Sequence, residues 1–359
     1  PAGDLLATVG FDHFVRLWDA KTGQELRSWS VDKDYNIDIA FSPDGKLLIA
    51  GGSKIRIWNT ATAELVRQLD DRGSTFAFSP DGKFLFSNRP GGLSIWEIAT
   101  GRLQRVLVNM GSARSFTPDG RSVLAGPRLV ELATGKVRVH LAGHAADSWM
   151  GAGPISSDGR TVSSLGGDGL YFVWDLTGLA PAGRFAAVAL SAAEQEGLWR
   201  LLAGDDAAVA YRAGWRLTAG DDASVAFLRD RLAPVTRDIG RLIDRLVADL
   251  AAADEAARQA ATEQLESLGE LAAPALRAAL SNSNGEARDR LEYLLPEAER
   301  PVPTGERIRG IRAIEILERI GTPAARAALA TLADGHPEAA LTREAASSSR
   351  RLERRSDRR

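Results

Sequence analysis

Three side chains near the middle of the chain, those of His144, Ser164 and Asp168, are of the types that form a hydrolase triad. In such a triad the serine hydroxyl attacks a carbonyl carbon, the histidine takes its proton and the carboxylate orients the histidine. A tryptophan, Trp174, follows six residues after Asp168. These residues raise two hypotheses, a nucleophilic active site or a hydrogen-bonded set that holds the fold together.

Other residues that could carry chemistry are fewer. His140 and His144 are four residues apart, a spacing that suits a metal site on a helix, but the pattern here predicts a strand end and a turn with no third ligand nearby. We therefore expect no metal ion. Asp12 and His13 are interpreted as solvated residues of a strand-to-strand turn. The chain has no P-loop, no dinucleotide-binding glycine motif and no Gly-x-Ser-x-Gly elbow, and we expect no cofactor.

The elements that would position these residues belong to a repeated unit, best seen in IDIAFSPDGKLLIAGGSKIRIWN from Ile37 to Asn59. Alternating apolar residues, a Ser-Pro-Asp-Gly turn and two β-rich runs predict three short antiparallel strands. Related turns recur along the first half, with a spacing of about 40 residues that is typical of a four-stranded propeller blade. Their glycines are Gly3, Gly45, Gly82, Gly120 and Gly159.

The last strand of most copies ends in a tryptophan followed by a polar residue. The pairs are Trp18-Asp19, Trp58-Asn59, Trp96-Glu97 and Trp174-Asp175. In combination with the period and the turn, this pattern resembles the WD40 repeat family over about half of the chain. The resemblance implies a partial WD40 β-propeller of about five blades, entered at the second strand of an incomplete first blade and not closed into a ring.

The resemblance also implies a structural role for the polar residues of each copy. In the WD40 arrangement a histidine, a serine or threonine, an aspartate and the tryptophan form a hydrogen-bonded relay inside the blade. The last copy has the full set in His144, Ser164, Asp168 and Trp174, and the first copy has Thr8, Asp12 and Trp18, with the matching histidine expected before residue 1.

The remaining copies depart from this set. The second and third copies keep Trp58 and Trp96 but have Gly52 and Pro90 at the aspartate position, so we expect incomplete relays. The fourth copy has Val130 in place of the tryptophan and a very short turn, Gly126-Pro127, which implies a shortened and less stable blade.

The composition changes near Leu179. All six lysines lie at or before Lys136, and Ala, Leu, Arg and Glu dominate afterwards. Ser191 with Glu194 forms a capping-box signature, and the second half predicts a series of helices separated by Gly, Asn and Pro breaks. Two tandem helix starts, Gly204 to Ala210 and Gly220 to Ala226, share the pattern Gly-Asp-Asp.

Two helical segments align with each other, one from Ala257 and one from Arg309, with Gly269 and Gly321 in register. Each reads as helix, glycine, proline-containing turn and helix. This resembles HEAT-type helical repeats, and an irregular Ala-rich bundle is the alternative. The fold prediction is thus a multidomain β + α chain with blades at 1–178, a linker at 179–190, an all-α HEAT-like helical repeat array at 191–345 and an Arg-rich tail at 346–359.

The charge of the chain limits its partners. The formal net charge is −2, and no stretch has the roughly 18 apolar residues of a membrane helix. We therefore expect neither a membrane protein nor a dedicated nucleic-acid binder. The last ten residues hold six arginines and are interpreted as a solvated end, the alternative being an arm that touches an acidic partner or nucleic acid. With no cysteine, the sequence fits a reducing compartment, and we expect a cytoplasmic protein.

Taken together, these patterns predict a non-catalytic scaffold that binds other proteins, similar to bacterial proteins that join WD40 and HEAT-like modules. Neither the partner, nor the binding residues, nor the oligomeric state follows from the sequence. Two alternatives remain open. The chain could be the regulatory region of a larger protein with a catalytic or DNA-binding domain upstream of residue 1, or it could be a hydrolase that uses Ser164.

Overall fold

The computed structural model describes residues 3–31, 38–71, 75–89, 91–108, 110, 113–144, 149–179, 186–235, 238–298, 303 and 305–356. The chain divides into two compact units, Pro1–Leu176 and Thr177–Arg359. The strands lie in the first unit and the helices in the second. This division lies two residues before the predicted end of the β-rich half at residue 178.

The described strands of the first unit form five antiparallel sheets, numbered 1 to 5 in chain order. Sheets 2, 3 and 4 have four strands, and sheets 1 and 5 have three strands among the described residues. The strands are, in sheet 1, β1 (Leu5–Val9), β2 (Phe14–Asp19) and β3 (Glu25–Ser30); in sheet 2, β4 (Ile39–Phe41), β5 (Leu47–Ala50), β6 (Ile55–Asn59) and β7 (Leu65–Leu69); in sheet 3, β8 (Phe76–Phe78), β9 (Phe84–Arg89), β10 (Gly92–Glu97) and β11 (Leu103–Val108); in sheet 4, β12 (Ala113–Phe116), β13 (Ser122–Ala125), β14 (Arg128–Glu131) and β15 (Val137–His140); and in sheet 5, β16 (Trp149–Ile155), β17 (Thr161–Gly166) and β18 (Tyr171–Asp175).

The sheets follow one another through contacts between their first strands. Strand β1 contacts β4, β4 contacts β8, β8 contacts β12, and β12 contacts β16. Strand β1 follows the turn glycine Gly3 as β5 follows Gly45, so β1 corresponds to the second strand of a four-stranded sheet. Among the described residues, sheet 1 therefore lacks a first strand and sheet 5 lacks a fourth.

The Ser-Pro-Asp-Gly turns are built by their own side chains. In sheet 2 the Ser42 hydroxyl donates to Asp44 Oδ1 at 2.6 Å and accepts from the Leu47 amide at 2.9 Å. The Ser42 hydroxyl is the main cause of the lowered pKa of the Asp44 carboxyl. Gly45 has φ 72°, a conformation that glycine adopts without the steric cost of a side chain.

The prolines of these turns lie against the next sheet. A Cβ built on Gly82 would lie 3.6 Å from Cδ of Pro43, and one on Gly120 would lie 3.1 Å from Cδ of Pro80. Pro118 has the same relation to Gly159 at 3.6 Å. The φ angle therefore favours glycine at all three positions, and at Gly120 a side chain would also crowd Pro80.

Arginines on the last strands of sheets 1, 2 and 3 form a second set of contacts between sheets. Arg67 on β7 donates to the carbonyl oxygens of Ala99 at 2.8 Å and Thr100 at 3.0 Å, in the last turn of sheet 3. Arg105 on β11 donates to two carbonyls of the corresponding turn of sheet 4, both at 3.2 Å. Arg27 on β3 is placed in the same way but lies 3.5 Å from the Ala61 carbonyl. These positions correspond, since each arginine pairs with the residue directly before the strand-end tryptophan of its sheet.

The helical unit contains ten α-helices and one short 3-10 turn among its described residues. They are α1 (Ala192–Leu202), α2 (Ala207–Ala219), α3 (Asp221–Arg229), α4 (Ile239–Asp249), α5 (Glu255–Leu268), the 3-10 turn Gly269–Leu271, α6 (Ala273–Leu280), α7 (Gly285–Ala298), α8 (Gly305–Ile320), α9 (Pro323–Ala333) and α10 (Ala340–Ser356). The predicted capping box is present, with Ser191 accepting from the Glu194 amide and Glu194 accepting from the Ser191 amide. The first Gly-Asp-Asp start is capped by Asp206, whereas at the second start Asp222 accepts from the Thr322 hydroxyl at 2.6 Å.

The helices bury two separate apolar cores. One core joins α1, α2 and α3 to α8, α9 and α10, and the other lies within α4 to α7. Helix α8 is central to the first core, where Ala313, Ile314 and Leu317 are fully buried. Helices α4 to α7 therefore form a group of their own between two parts of the chain that pack together.

The helix pairing differs from that predicted by the sequence alignment. The aligned segments predict two equivalent helical pairs, α5 with α6 and α8 with α9. Helices α8 and α9 do pack together, but α5 packs on α4 and α7, and α6 packs on α7 and α4. The physical reason is the 3-10 turn Gly269–Leu271, which re-aims the chain after α5, whereas Gly321 is followed directly by the Thr322 cap of α9.

The predicted Arg-rich tail at 346–359 is wrong for residues 346–356. These residues belong to α10, which packs on α8 and α9 and buries Ala345, Ser348 and Leu352. Arg351 donates to both carboxylate oxygens of Glu318, at 2.9 and 2.7 Å, and the Glu318 side chain is only 1% exposed. A buried carboxylate requires such a partner, so this arginine is structural. Residues 357–359 lie outside the described residues.

The contacts between sheets predict that Arg67→Ala lowers the free energy of unfolding by about 1–3 kcal/mol, because two carbonyls lose a charged donor. Arg27→Ala is the matched control, since its guanidinium lies farther from the corresponding carbonyl, and we expect a smaller loss. Chemical denaturation of the full chain measures both. Equal losses for the two variants would contradict the role of these contacts.

The packing of α10 predicts that Arg351→Ala destabilises the helical unit by about 3–5 kcal/mol, because Glu318 would stay buried without its main partner. Arg350→Ala is the control, since the neighbouring Arg350 is exposed and its hydrogen bond among the described residues goes to Ser347 on the same helix. The measurement is thermal unfolding followed by circular dichroism at 222 nm. A solvated tail would give the same melting curve for both variants.

Candidate functional site

The structure brings His144, Ser164 and Asp168 together in sheet 5. Nε2 of His144 lies 2.8 Å from the Ser164 hydroxyl, and Nδ1 of His144 lies 3.2 Å from Oδ1 of Asp168. Nε1 of Trp174 donates to the Ser164 hydroxyl at 2.7 Å. The carboxylate of Asp168 can only accept, so Nδ1 of His144 carries a proton and donates to it. In a neutral imidazole, Nε2 of His144 then accepts from the Ser164 hydroxyl, which itself accepts from Trp174.

This order of donors is the same as in a resting hydrolase triad, so access decides what the residues can do. Ser164 is 1% exposed and the side chain of His144 is 3% exposed. A Cβ on Gly143 would lie 2.6 Å from Cη2 of Trp174, and one on Gly166 would lie 2.2 Å from Nδ1 of His144. The serine hydroxyl therefore lies among packed side chains of the described residues, out of contact with solvent, where a substrate carbonyl would have to displace them.

The corresponding residues of sheet 1 are placed differently. Nε1 of Trp18 donates to the Thr8 hydroxyl at 2.8 Å. Asp12 accepts from the Phe14 amide and forms an ion pair with Arg16, whose hydrogen bond is the main cause of the lowered pKa of the Asp12 carboxyl. His13, interpreted as solvated, has φ 63° and a buried Nδ1 with no hydrogen-bond partner among the described residues.

Sheet 3 contains a chain of hydrogen bonds that the sequence pattern missed. Nε1 of Trp96 donates to the Ser87 hydroxyl at 3.2 Å, and this hydroxyl donates to Oδ2 of Asp71 at 3.3 Å. Asp71 precedes its serine by 16 residues, whereas His144 precedes Ser164 by 20 residues. An aspartate in a shorter loop thus takes the place of the histidine. Only a comparison that allowed both a different residue type and a shorter loop could have found it. Pro90, which stands at the other aspartate position, lies outside the described residues.

Sheets 2 and 4 have other interactions around the strand-end tryptophan position, which holds Trp58 in sheet 2 and Val130 in sheet 4. Trp58 is buried and stacks on Trp29 of sheet 1, with ring centroids 5.4 Å apart. In sheet 4, Val130 is fully buried, and a buried ion pair joins Arg138 to Glu131 at 2.6 Å. Despite its two-residue turn, sheet 4 has four strands. Its predicted lower stability stays a prediction.

The described residues form neither a metal-binding cluster nor a membrane-spanning helix. Among them, no three His, Asp or Glu side chains group closely enough to hold a metal ion, and His140 is exposed at the end of β15. No helix among these residues has the length and apolar character to cross a bilayer.

Several apolar side chains of the first unit are exposed to solvent. Phe11, in the turn between β1 and β2, is 88% exposed, and Tyr171 and Val173 on the open edge of sheet 5 are 66% exposed. Large apolar side chains left in water in this way are typical of interaction surfaces when they cluster. In the helical unit, a separate cleft of about 560 Å³ is bordered by α4, α6 and α10.

Comparison with known proteins supports the assignment of the repeat. The family model of the WD domain, G-beta repeat (WD40), matches residues 23–59. This segment contains β3 of sheet 1 and the first three strands of sheet 2, so the sequence repeat is offset from the sheet. The WD repeat-containing protein AAC3 of Dictyostelium discoideum is 40% identical over 47 residues. The matched region is 13% of this chain and 10% of that protein, so the chain aligns with only a small part of its relative.

The geometry of sheet 5 predicts that Trp174→Ala lowers the free energy of unfolding by about 3–5 kcal/mol, because it opens a cavity and removes the donor to Ser164. Trp18→Ala is the control, since the hydrogen bond from Trp18 to Thr8 lies at the surface of sheet 1. Denaturation midpoints of the two variants measure the difference. A midpoint unchanged by Trp174→Ala would remove the structural role of the relay.

Proposed function

We propose that the chain is a non-catalytic scaffold for protein–protein interaction, built from a segment of a WD40-type propeller and a HEAT-like helical unit. The observation that carries the proposal is the burial of Ser164 behind Trp174 and His144. Because Ser164 is buried, the triad-like cluster of the described residues serves as a set of internal hydrogen bonds. WD repeats generally mediate protein–protein interaction, which agrees with the match of residues 23–59.

The propeller assignment rests on the order of the sheets. The first strands of sheets 2 to 5 contact one another in order from β4 to β16, as the inner strands of successive blades would, and β1, which corresponds to a second strand, contacts β4. We propose that the five sheets are consecutive blades of an open fan. Its two end sheets leave apolar side chains exposed, including Leu6 in sheet 1 and Tyr171 in sheet 5.

The HEAT-like assignment rests on α4 to α7. Helix α4 pairs with α5 and α6 pairs with α7, while α4 also contacts α6 and α5 also contacts α7. In a helical repeat array each helical pair contacts its neighbouring pair, and these two pairs contact each other in that way. The proposed repeat is therefore α4–α5 followed by α6–α7, in a different phase from that of the sequence alignment.

The arginines favour protein partners over nucleic acid. Phosphate recognition needs guanidinium groups that are free to reach a polyanion. Arg67 and Arg105 donate to carbonyls within the fold, and Arg351 is held by Glu318. With a net charge of −2, the chain has no excess of positive charge to attract a phosphate backbone.

The proposal predicts that neither the wild-type chain nor Ser164→Ala hydrolyses a panel of ester and peptide substrates, while Ser164→Ala lowers the melting temperature. The loss of stability should correspond to about 1–3 kcal/mol, since Trp174 and His144 lose their shared partner. Ser163→Ala is the matched control on the same strand. Turnover by the wild type that disappears in Ser164→Ala, with an unchanged melting curve, would establish the hydrolase alternative instead.

Binding is measured on the same preparations. The immobilised full chain should retain at least one protein in stoichiometric amount from an extract of the cells that encode it, and Phe11→Ser should reduce the amount retained. Val108→Ser is the control, since Val108 is also exposed, at 64%, but lies on the outer strand β11. A chain that retains no protein in stoichiometric amount is not an interaction scaffold.

A further inference from the structure

The cleft of about 560 Å³ in the helical unit has the size of a ligand-binding pocket. Its walls come from α4, from the 3-10 turn with the start of α6, and from α10 with the segment before it. Apolar atoms of Ile243, Leu271 and Pro274 line it together with the polar side chains of Asp244, Glu338 and Arg343. All of these residues belong to the helical unit.

Negative side chains outnumber positive ones in the cleft. Glu270 also lines it, so three carboxylates face one guanidinium. Arg343 donates to Glu270 Oε1 at 2.6 Å and to the backbone carbonyl of Glu338, so its charge is already compensated. The carboxylates of Asp244 and Glu338 have no ion-pair or hydrogen-bond partner among the described residues. The cleft therefore combines an apolar wall with two uncompensated negative charges.

We propose that this cleft binds a basic peptide segment of a partner protein. An apolar side chain of the segment packs on Leu271 and Pro274, and a lysine or arginine next to it lies between Asp244 and Glu338. A cation is the occupant whose charge complements those carboxylates, and the apolar wall favours a peptide side chain over a fully hydrated ion. The inference rests on the proposed scaffold function and assigns one of its binding sites.

Gly240 gives a way to close the cleft without disturbing the core. It lies in the first turn of α4 and lines the cleft, and a Cβ built on it would meet no atom within 4 Å. Gly240→Trp should therefore fill the cleft while α4 stays folded. Gly197→Trp on α1 is the matched control, since a Cβ on Gly197 also meets no atom within 4 Å and the residue lies away from the cleft.

The test is a selection of random 12-residue peptides displayed on phage against the full-length chain, followed by fluorescence polarisation of the enriched peptides. We expect enriched peptides with an apolar residue beside lysine or arginine. They should lose binding to Gly240→Trp, keep it with Gly197→Trp, and bind Asp244→Lys about tenfold or more weakly. Binding should also weaken as the salt concentration rises, because the carboxylates are exposed.

Four results would overturn the proposal: no enrichment, enriched peptides without basic residues, equal binding to wild type and Gly240→Trp, or peptide binding that neither Asp244→Lys nor Glu338→Lys weakens. If spermidine binds and no peptide does, the occupant is a small polyamine and the peptide assignment is wrong. If proteins are retained by wild type and Gly240→Trp alike, the scaffold function stands and only this site falls.

Discussion

Guanidinium groups that donate to backbone carbonyls are the interaction on which both units depend. The end of a helix and the turn of a sheet expose carbonyl oxygens that lack a partner within their own element. In the β unit, Arg67 and Arg105 supply donors from the neighbouring sheet. In the helical unit, Arg312 donates to the carbonyl of Leu202 at 2.7 Å and to that of Gly204 at 2.9 Å, at the end of α1.

Hydrogen bonds from arginine to backbone carbonyls recur near other helix ends, and they account for part of the arginine content of the second half. Arg258 donates to the carbonyls of Ala252 and Ala253 after α4, and Arg288 donates to that of Leu280 at the end of α6. Arginine suits this role because its planar group can donate to two carbonyls at once and stays charged when partly buried. These arginines form hydrogen bonds within the fold, so their number in the sequence is a weak argument for a nucleic-acid-binding surface.

Solvent access, more than hydrogen-bond geometry, distinguishes a structural relay from a catalytic triad. His144, Ser164 and Asp168 have the donor order that a hydrolase would use. What differs is that the serine oxygen also accepts from Trp174 and lies inside the sheet. In sheet 3 the series of hydrogen bonds ends in the carboxylate of Asp71, which accepts directly from Ser87, so a carboxylate stands where sheet 5 has an imidazole. The repeated feature is thus the bond from tryptophan to hydroxyl, and the third group varies.

The local elements of this chain followed from the sequence, because each depends on short-range chemistry. The Ser-Pro-Asp-Gly turns and the strand-end tryptophans predicted the strands, and capping residues such as Ser191 predicted helix starts. The coarse order, sheets followed by helices, was therefore correct. Which elements pack together was decided only by the tertiary structure. Asp71 accepts from Ser87, the partner of Trp96, across 16 residues. Arg351 of α10 donates to a glutamate 33 residues away, and the 3-10 turn after α5 directs α6 to other neighbours. Such contacts join residues that are far apart in the chain, and their geometry depends on how whole elements pack, which no local pattern of residue types encodes.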